Sequence, residues 1–182
     1  TLSGPSGAGK TLLLRALADL DPWDGRVLLD GVECRDTPPH QWRRRVGMLP
    51  AESAWWSDAV RDHFESPEKA ETEKLGFGPE VLDWAVSRLS TGERQRLALL
   101  RLLGVGPRAL LLDEPTANLD PESTIRVERV LSDYMTRHDA CSLWITHDPE
   151  QAARVSTRHL VLSGGRLREA QGPGGEEIPS WA

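Results

Sequence analysis

Near its start the chain reads Gly4-Pro5-Ser6-Gly7-Ala8-Gly9-Lys10-Thr11, with glycines at the first, fourth and sixth places before a lysine and a hydroxyl residue. Glycines at these places let successive backbone N–H groups turn into one concave nest, and such a nest suits a chain of phosphates. Lys10 adds a fixed positive charge for the outer phosphates, and Thr11 offers a hydroxyl to Mg²⁺. A helix expected over roughly 10–19 would aim its positive N-terminal end at the same anion. The plain alternative is a glycine-rich turn before a helix. The loop alone leaves both ATPase and GTPase chemistry open.

A second chemical feature is Leu110-Leu111-Leu112-Asp113-Glu114. An apolar strand ending in two acids brings them to the carboxyl edge of a parallel sheet, where ligands of such folds bind. Asp113 there could hold Mg²⁺. Glu114 could accept a proton from an attacking water, a role worth about 10²–10⁴-fold in rate. The plain alternative is a solvated turn or a helix cap. A third feature, Leu89-Ser90-Thr91-Gly92-Glu93 followed by Arg94-Gln95-Arg96, reads by itself as a helix start, with Ser90 as the cap and Glu93 completing a capping box.

The elements that must hold these residues alternate along the chain. Val27–Leu29, Val46–Leu49, Ala109–Leu112 and Ser142–Ile145 read as strands. Leu160–Leu162 followed by Ser163-Gly164-Gly165-Arg166-Leu167 reads as a late hairpin. Helices are expected at 10–19, 93–103 and 121–137, with Leu12, Leu13, Leu14, Ala16, Leu17 and Leu20 on the buried face of the first. Strands separated by helices imply a mainly parallel sheet with right-handed crossovers, an α/β class with helices on both faces. Residues 53–88, polar and broken by Pro67, Gly76, Gly78 and Pro79, read as a small, mostly helical insert. The expected organisation is one domain over 1–170, with a core of 1–52 and 89–170, and a disordered tail over 171–182.

At 182 residues the chain is long enough to bury a real core, and its 38% hydrophobic and 27% charged content suits a soluble globular protein. A net charge of −6 argues against a general nucleic-acid or membrane-surface binder. The local cluster Arg43-Arg44-Arg45 reads as a solvated face or loop end. Cys34 and Cys141 have no metal-ligand spacing and read as reduced and buried, in a reducing compartment. No apolar run approaches the roughly 20 residues of a bilayer span. The opening residue is Thr1, which suggests a fragment or a processed form.

Taken in order, these motifs resemble the ATP-binding cassette ATPases of ABC transporters. Gly4–Thr11 is similar to their Walker A motif, Leu110–Glu114 to Walker B, and Leu89–Glu93 to the LSGGQ signature, with Thr91 for a glycine and Glu93 for the glutamine. Ala117-Asn118-Leu119-Asp120 resembles the D-loop, and Ile145-Thr146-His147-Asp148 the switch-histidine segment. The resemblance implies a P-loop, RecA-like core with a small helical subdomain and truncated N-terminal strands. It implies ATP and Mg²⁺ as ligands, bound by Gly4, Pro5, Ser6, Gly7, Ala8, Gly9, Lys10, Thr11 and Leu12, with Thr11 and Asp113 at the metal. Glu114, His147 and Lys10 are then catalytic. Two cassettes face head to tail, so that Ser90 and Gly92 meet the γ-phosphate on the partner chain and Asp120 communicates across the dimer. Asp120 before Pro121 is also a good helix N-cap.

Three features depart from the family. Ala51 stands where a loop glutamine is expected, with Glu52 next. Leu12 replaces a second hydroxyl. Only Thr1-Leu2-Ser3 remains of the strand before the loop, and Trp23 lies on the wrong side of the loop to be the aromatic residue that stacks on adenine. The implied function is ATP hydrolysis that powers a separate membrane permease, from the cytoplasmic face of the membrane. Residues 53–88 and Trp55-Trp56 would form the docking side. The alternatives are a repair- or translation-type cassette and a weakly hydrolysing one. The short stretch between Ala51 and Leu89 leaves no room for the long coiled coils of repair types.

Overall fold

The computed structural model describes residues 1–170, so the expected tail at 171–182 lies outside the described residues. The strands are β1 (Leu2–Ser3), β2 (Leu28–Leu29), β3 (Val32–Glu33), β4 (Val46–Leu49), β5 (Ala109–Asp113), β6 (Cys141–Ile145), β7 (Leu160–Ser163) and β8 (Arg166–Glu169). The α-helices are α1 (Lys10–Leu17), α2 (Pro39–Arg45), α3 (Thr91–Val105), α4 (Pro121–His138) and α5 (Pro149–Val155). A six-stranded sheet runs in the order β4-β5-β6-β1-β7-β8. Its neighbours pair in parallel except β7 and β8, which form an antiparallel hairpin.

Local signals explain the main elements. Ser90 caps α3, and Gly106, in the left-handed region at φ 79°, stops it. Asp120 caps α4, with Pro121 at the first helical position. The β2–β3 hairpin turns on Asp30 and Gly31, both at positive φ (53° and 76°), as a two-residue turn between twisted strands requires. All five residues of β5 are buried, because helices cover both faces of the sheet. Leu110 and Leu112 pack on one side with Leu97, Leu100, Val127 and Leu131 of α3 and α4. Ala109 and Leu111 pack on the other with Leu14 of α1 and Trp42 of α2.

Three expectations change. The first helix ends at Leu17, and Leu12 and Leu20 are 64% and 45% exposed. The buried face is set by Leu14, with Ala18 one turn on, and Leu12 lies about 200° round the helix from Leu14. Residues 53–88 contain no α-helix. They fold as short 3₁₀ turns at Val60–His63, Pro67–Lys69, Thr72–Leu75, Pro79–Asp83 and Val86–Arg88, since prolines and glycines interrupt any longer ladder of amide bonds. The segment shares its core with the rest of the chain, because Val60, Leu75, Phe77, Val81 and Leu82 belong to the α3–α4 cluster. Finally, Cys34 is buried but Cys141 is exposed, at the open amino end of β6. Arg44 and Arg45 are ion-paired with Glu65 and Asp30 at the C-terminal end of α2. No helix among the described residues is long and apolar enough to cross a membrane.

Candidate nucleotide site

The phosphate loop leaves β1 between β6 and β7, and α1 begins at Lys10. Lys10 is 8% exposed, and its Nζ donates to the carbonyls of Gly4 (2.8 Å) and Pro5 (3.1 Å), so the loop closes around the ammonium group. Gly4 is required by space: a Cβ there would lie 2.2 Å from the Leu162 carbonyl of β7. A Cβ at Gly7 or Gly9 would meet nothing within 4 Å, so these positions border open space. Ser6, Thr11 and Leu12 are exposed, while Pro5 and Ala8 are half-buried.

Strand register brings the other groups to this loop. Ile145 of β6 lies opposite both Leu2 of β1 and Asp113 of β5, so the carboxyl ends of the three strands align. Thr11 Oγ1 donates to Asp113 Oδ2 at 2.8 Å, across 102 positions of sequence. Asp113 is 6% exposed. The next residue, Glu114, sits in the left-handed region at φ 48°, a conformation that costs a side-chain-bearing residue about 1–2 kcal/mol. This turn carries its carboxylate to within 3.2 Å of His147 Nε2, just past the end of β6. Non-glycine residues held in this region cluster at functional sites.

The signature segment is placed elsewhere. Ser90 Oγ accepts from the Glu93 amide (3.2 Å) and donates to Glu93 Oε2 (2.8 Å), and the Ser90 amide donates to the same carboxylate (2.8 Å). These bonds hold the Glu93 carboxyl below its ordinary range, the backbone bond contributing most. Gly92 lies against the loop after β5, where a Cβ would come 2.9 Å from the Asn118 carbonyl. The D-loop therefore rests on the first turn of α3. Asp120 accepts from the hydroxyl and the amide of Ser123 (2.7 and 2.9 Å), which lower its pKa in that order of weight. Among the described residues, no hydrogen bond joins Ser90 to the phosphate loop of the same chain.

Two buried glutamines complete the surroundings, and sequence reasoning gave neither of them a role. Gln95, on α3, donates to the Pro50 carbonyl at 3.1 Å and so ties α3 to the loop that carries Ala51 and Glu52, both exposed. Gln151, on α5, is 2% exposed and touches the segments after β5 and β6. Its polar type on the inner face of a helix was the available signal. Trp23 is occupied by packing: its indole N–H donates to Asp19 and Arg35 lies over its ring.

No cluster of three or more His, Cys, Asp or Glu side chains suited to a metal occurs among the described residues. Mg²⁺ needs no such cage, because it keeps several waters and takes one or two protein oxygens together with phosphate oxygens. The Thr11 hydroxyl and the Asp113 carboxylate supply hard oxygen donors of that kind at the mouth of the loop, so the residues fit the ion.

Residues 1–117 match the family model described as ABC transporter. A phosphate import ATP-binding protein of Aeropyrum pernix is 34% identical over 92% of this chain and 77% of its own length. A tungstate uptake ATP-binding protein of Peptoclostridium acidaminophilum is 35% identical over 93% and 83%. A sulfate/thiosulfate import ATP-binding protein of Chromobacterium violaceum is 37% identical over 94% of this chain but 53% of its own length, so the chain spans about half of that relative. Among solved structures, a bacterial Atm1-family ABC exporter with ATP bound superposes with a TM-score of 0.79 at 28% identity, over 92% of this chain and 32% of the exporter. The family match runs from the phosphate loop through the acidic end of β5, and the chain belongs to the ABC transporter family.

Proposed function

We propose that Glu114 and His147 are the catalytic pair of this ATPase, and that hydrolysis drives import through a separate membrane permease. The observation that carries this reading is the meeting of three strand ends, with Thr11 on Asp113 and Glu114 against His147. Lys10 and the backbone N–H groups of residues 6–11 grip the phosphate chain. Its charge is delocalised over oxygens that fixed donors can stabilise without reorganisation. Thr11 and Asp113 hold Mg²⁺, which supplies neutralisation of the phosphate oxygens when bound. Glu114 accepts the proton of the attacking water, and His147 orients the carboxylate and contacts the γ-phosphate.

Glu114 and His147 are 36% and 41% exposed, so this chain alone does not exclude water from them. A second copy, docked head to tail, closes the site. Its Ser90 and Gly92 bring the amide-rich start of α3 to the γ-phosphate, and Asp120 lies beside that seam. On another face, a groove of about 610 Å³ runs past Met48, Pro50, Trp56, Phe64 and Arg101. Trp56 is 69% exposed there, with the Arg101 guanidinium 4.9 Å from its ring centroid. This groove takes the permease and places the subunit on the inner face of the membrane. The names of the import relatives support the uptake direction. Ala51 has no side-chain amide to offer, and the Glu114–His147 contact stands without one.

The test is steady-state phosphate release from Mg-ATP, compared between the wild type and Glu114→Gln. The wild type turns over, and the variant binds nucleotide but releases phosphate at least about 10²-fold more slowly. Equal rates would refute the catalytic assignment.

A further inference from the structure

We propose that Gln151 is a positioning residue that sets the Glu114–His147 contact. The inference rests on the catalytic reading of that pair. Gln151 is 2% exposed, on the first turn of α5. Its amide oxygen accepts from Thr146 Oγ1 (2.8 Å), one residue before His147, and lies 3.2 Å from Thr116 Oγ1, two residues after Glu114. Its amide nitrogen lies 3.0 Å from the same Thr116 hydroxyl and donates to Glu128 Oε1 of α4 at 2.9 Å. One buried amide therefore joins the segment that carries Glu114 to the segment that carries His147, and anchors both to α4.

The rest of the cluster removes slack. Thr146 Oγ1 also accepts the Asp148 amide (3.1 Å), and Asp148 caps α5 by accepting from the Glu150 and Gln151 amides (2.9 and 3.2 Å). His147 is thus bracketed by two residues that are tied down. Glu128 is held in turn by Arg154 (2.9 and 3.2 Å). The position needs an amide because it must accept and donate at once. A carboxylate would face Glu128 with like charge. An apolar side chain would take away the acceptor of the Thr146 and Thr116 hydroxyls and the link to Glu128. A plain space-filling role would need none of this polarity.

The test uses Gln151→Met, similar in length and without the amide, beside a Val130→Ala control on α4, away from the cluster. Two readouts are taken on the intact chain. In the first, Gln151→Met lowers kcat about tenfold or more with KM for ATP little changed, since small displacements of reacting groups carry large rate penalties. The control leaves kcat unaltered. In a His147→Ala background, Gln151→Met has no further effect on kcat. In the second, the His147 ring ¹⁵N signals, assigned with His147→Ala, move in Gln151→Met as they do in Glu114→Gln. That readout needs no turnover: if the wild type were inactive but the ring signals moved, the catalytic reading would fall and the positioning role would stand. Unchanged ring signals, or the same fold-loss of kcat with and without His147, would overturn the inference.

Discussion

His147 Nε2 lies 3.2 Å from Glu114 Oε1, although the two residues leave different strands, β6 and β5. Glu114 reaches across only because its backbone turns into the left-handed region directly after Asp113, with its amide donating to the Ile145 carbonyl at 3.2 Å. Two side chains held together by the backbone in this way should act as a unit. Glu114→Gln and His147→Ala are each expected to lower phosphate release strongly, and the double variant to be little worse than the weaker single one. A double-mutant cycle on kcat checks this.

Removal of the metal should be visible without turnover. At a hundredfold excess over Kd, Mg-ATP is expected to stabilise the chain by about 2.7 kcal/mol, seen as a rise in thermal midpoint. Chelation by EDTA should remove much of that rise. Thr11→Val, which loses the hydroxyl bonded to Asp113, should show a small rise that EDTA no longer changes.

The two ends of the phosphate loop should differ in tolerance. At Gly4 a Cβ would lie 2.2 Å from the Leu162 carbonyl, so Gly4→Ala forces β1 and β7 apart and should cost more than about 3 kcal/mol or prevent folding. At Gly7 there is open space, but φ is 76°, so Gly7→Ala should cost about 1–2 kcal/mol. Urea unfolding of both variants checks the ranking.

Glu93 predicts a pH dependence. The Ser90 amide first, and then its hydroxyl, hold the carboxyl below its ordinary value of 4.5. A depressed folded value means that the stabilisation is complete above the unfolded value and is lost as pH falls through the folded one. Glu93→Gln should therefore be less stable than the wild type near neutral pH, and the gap should close as pH drops below about 4.5. Urea midpoints of both proteins across that range test it.

The paired tryptophans should separate by role. Trp55 packs against the α3–α4 cluster, so Trp55→Ala should cost about 2 kcal/mol, short of the about 3–5 kcal/mol for a fully buried tryptophan. Trp56 is largely exposed, and Trp56→Ala should change stability by less than about 0.5 kcal/mol. Loss of permease capture in pull-downs by Trp56→Ala alone would fit the docking groove, whereas retained capture would argue against it.

Much of the site was legible because its signals are local. Glycine spacing ahead of Lys10-Thr11, an apolar run that stops at Asp113-Glu114, and the caps Ser90 and Asp120 each act through backbone geometry within a few residues. The sequence by itself thus determined the main strands and the helices α1, α3 and α4, the loop, and which acids end β5, but not α2 or α5. The tertiary structure alone decided what those groups touch. The register of β5, β6 and β1 is set by pairing between strands far apart in sequence, under helices packed on both faces, and it joins Thr11 to Asp113 and Glu114 to His147. The same packing turned Leu12 outward, left Cys141 at an open strand end, and draped the short turns of 53–88 on α3 and α4. It also placed Gln151 between the segments that carry Glu114 and His147, and its partners there lie 5 to 35 positions away.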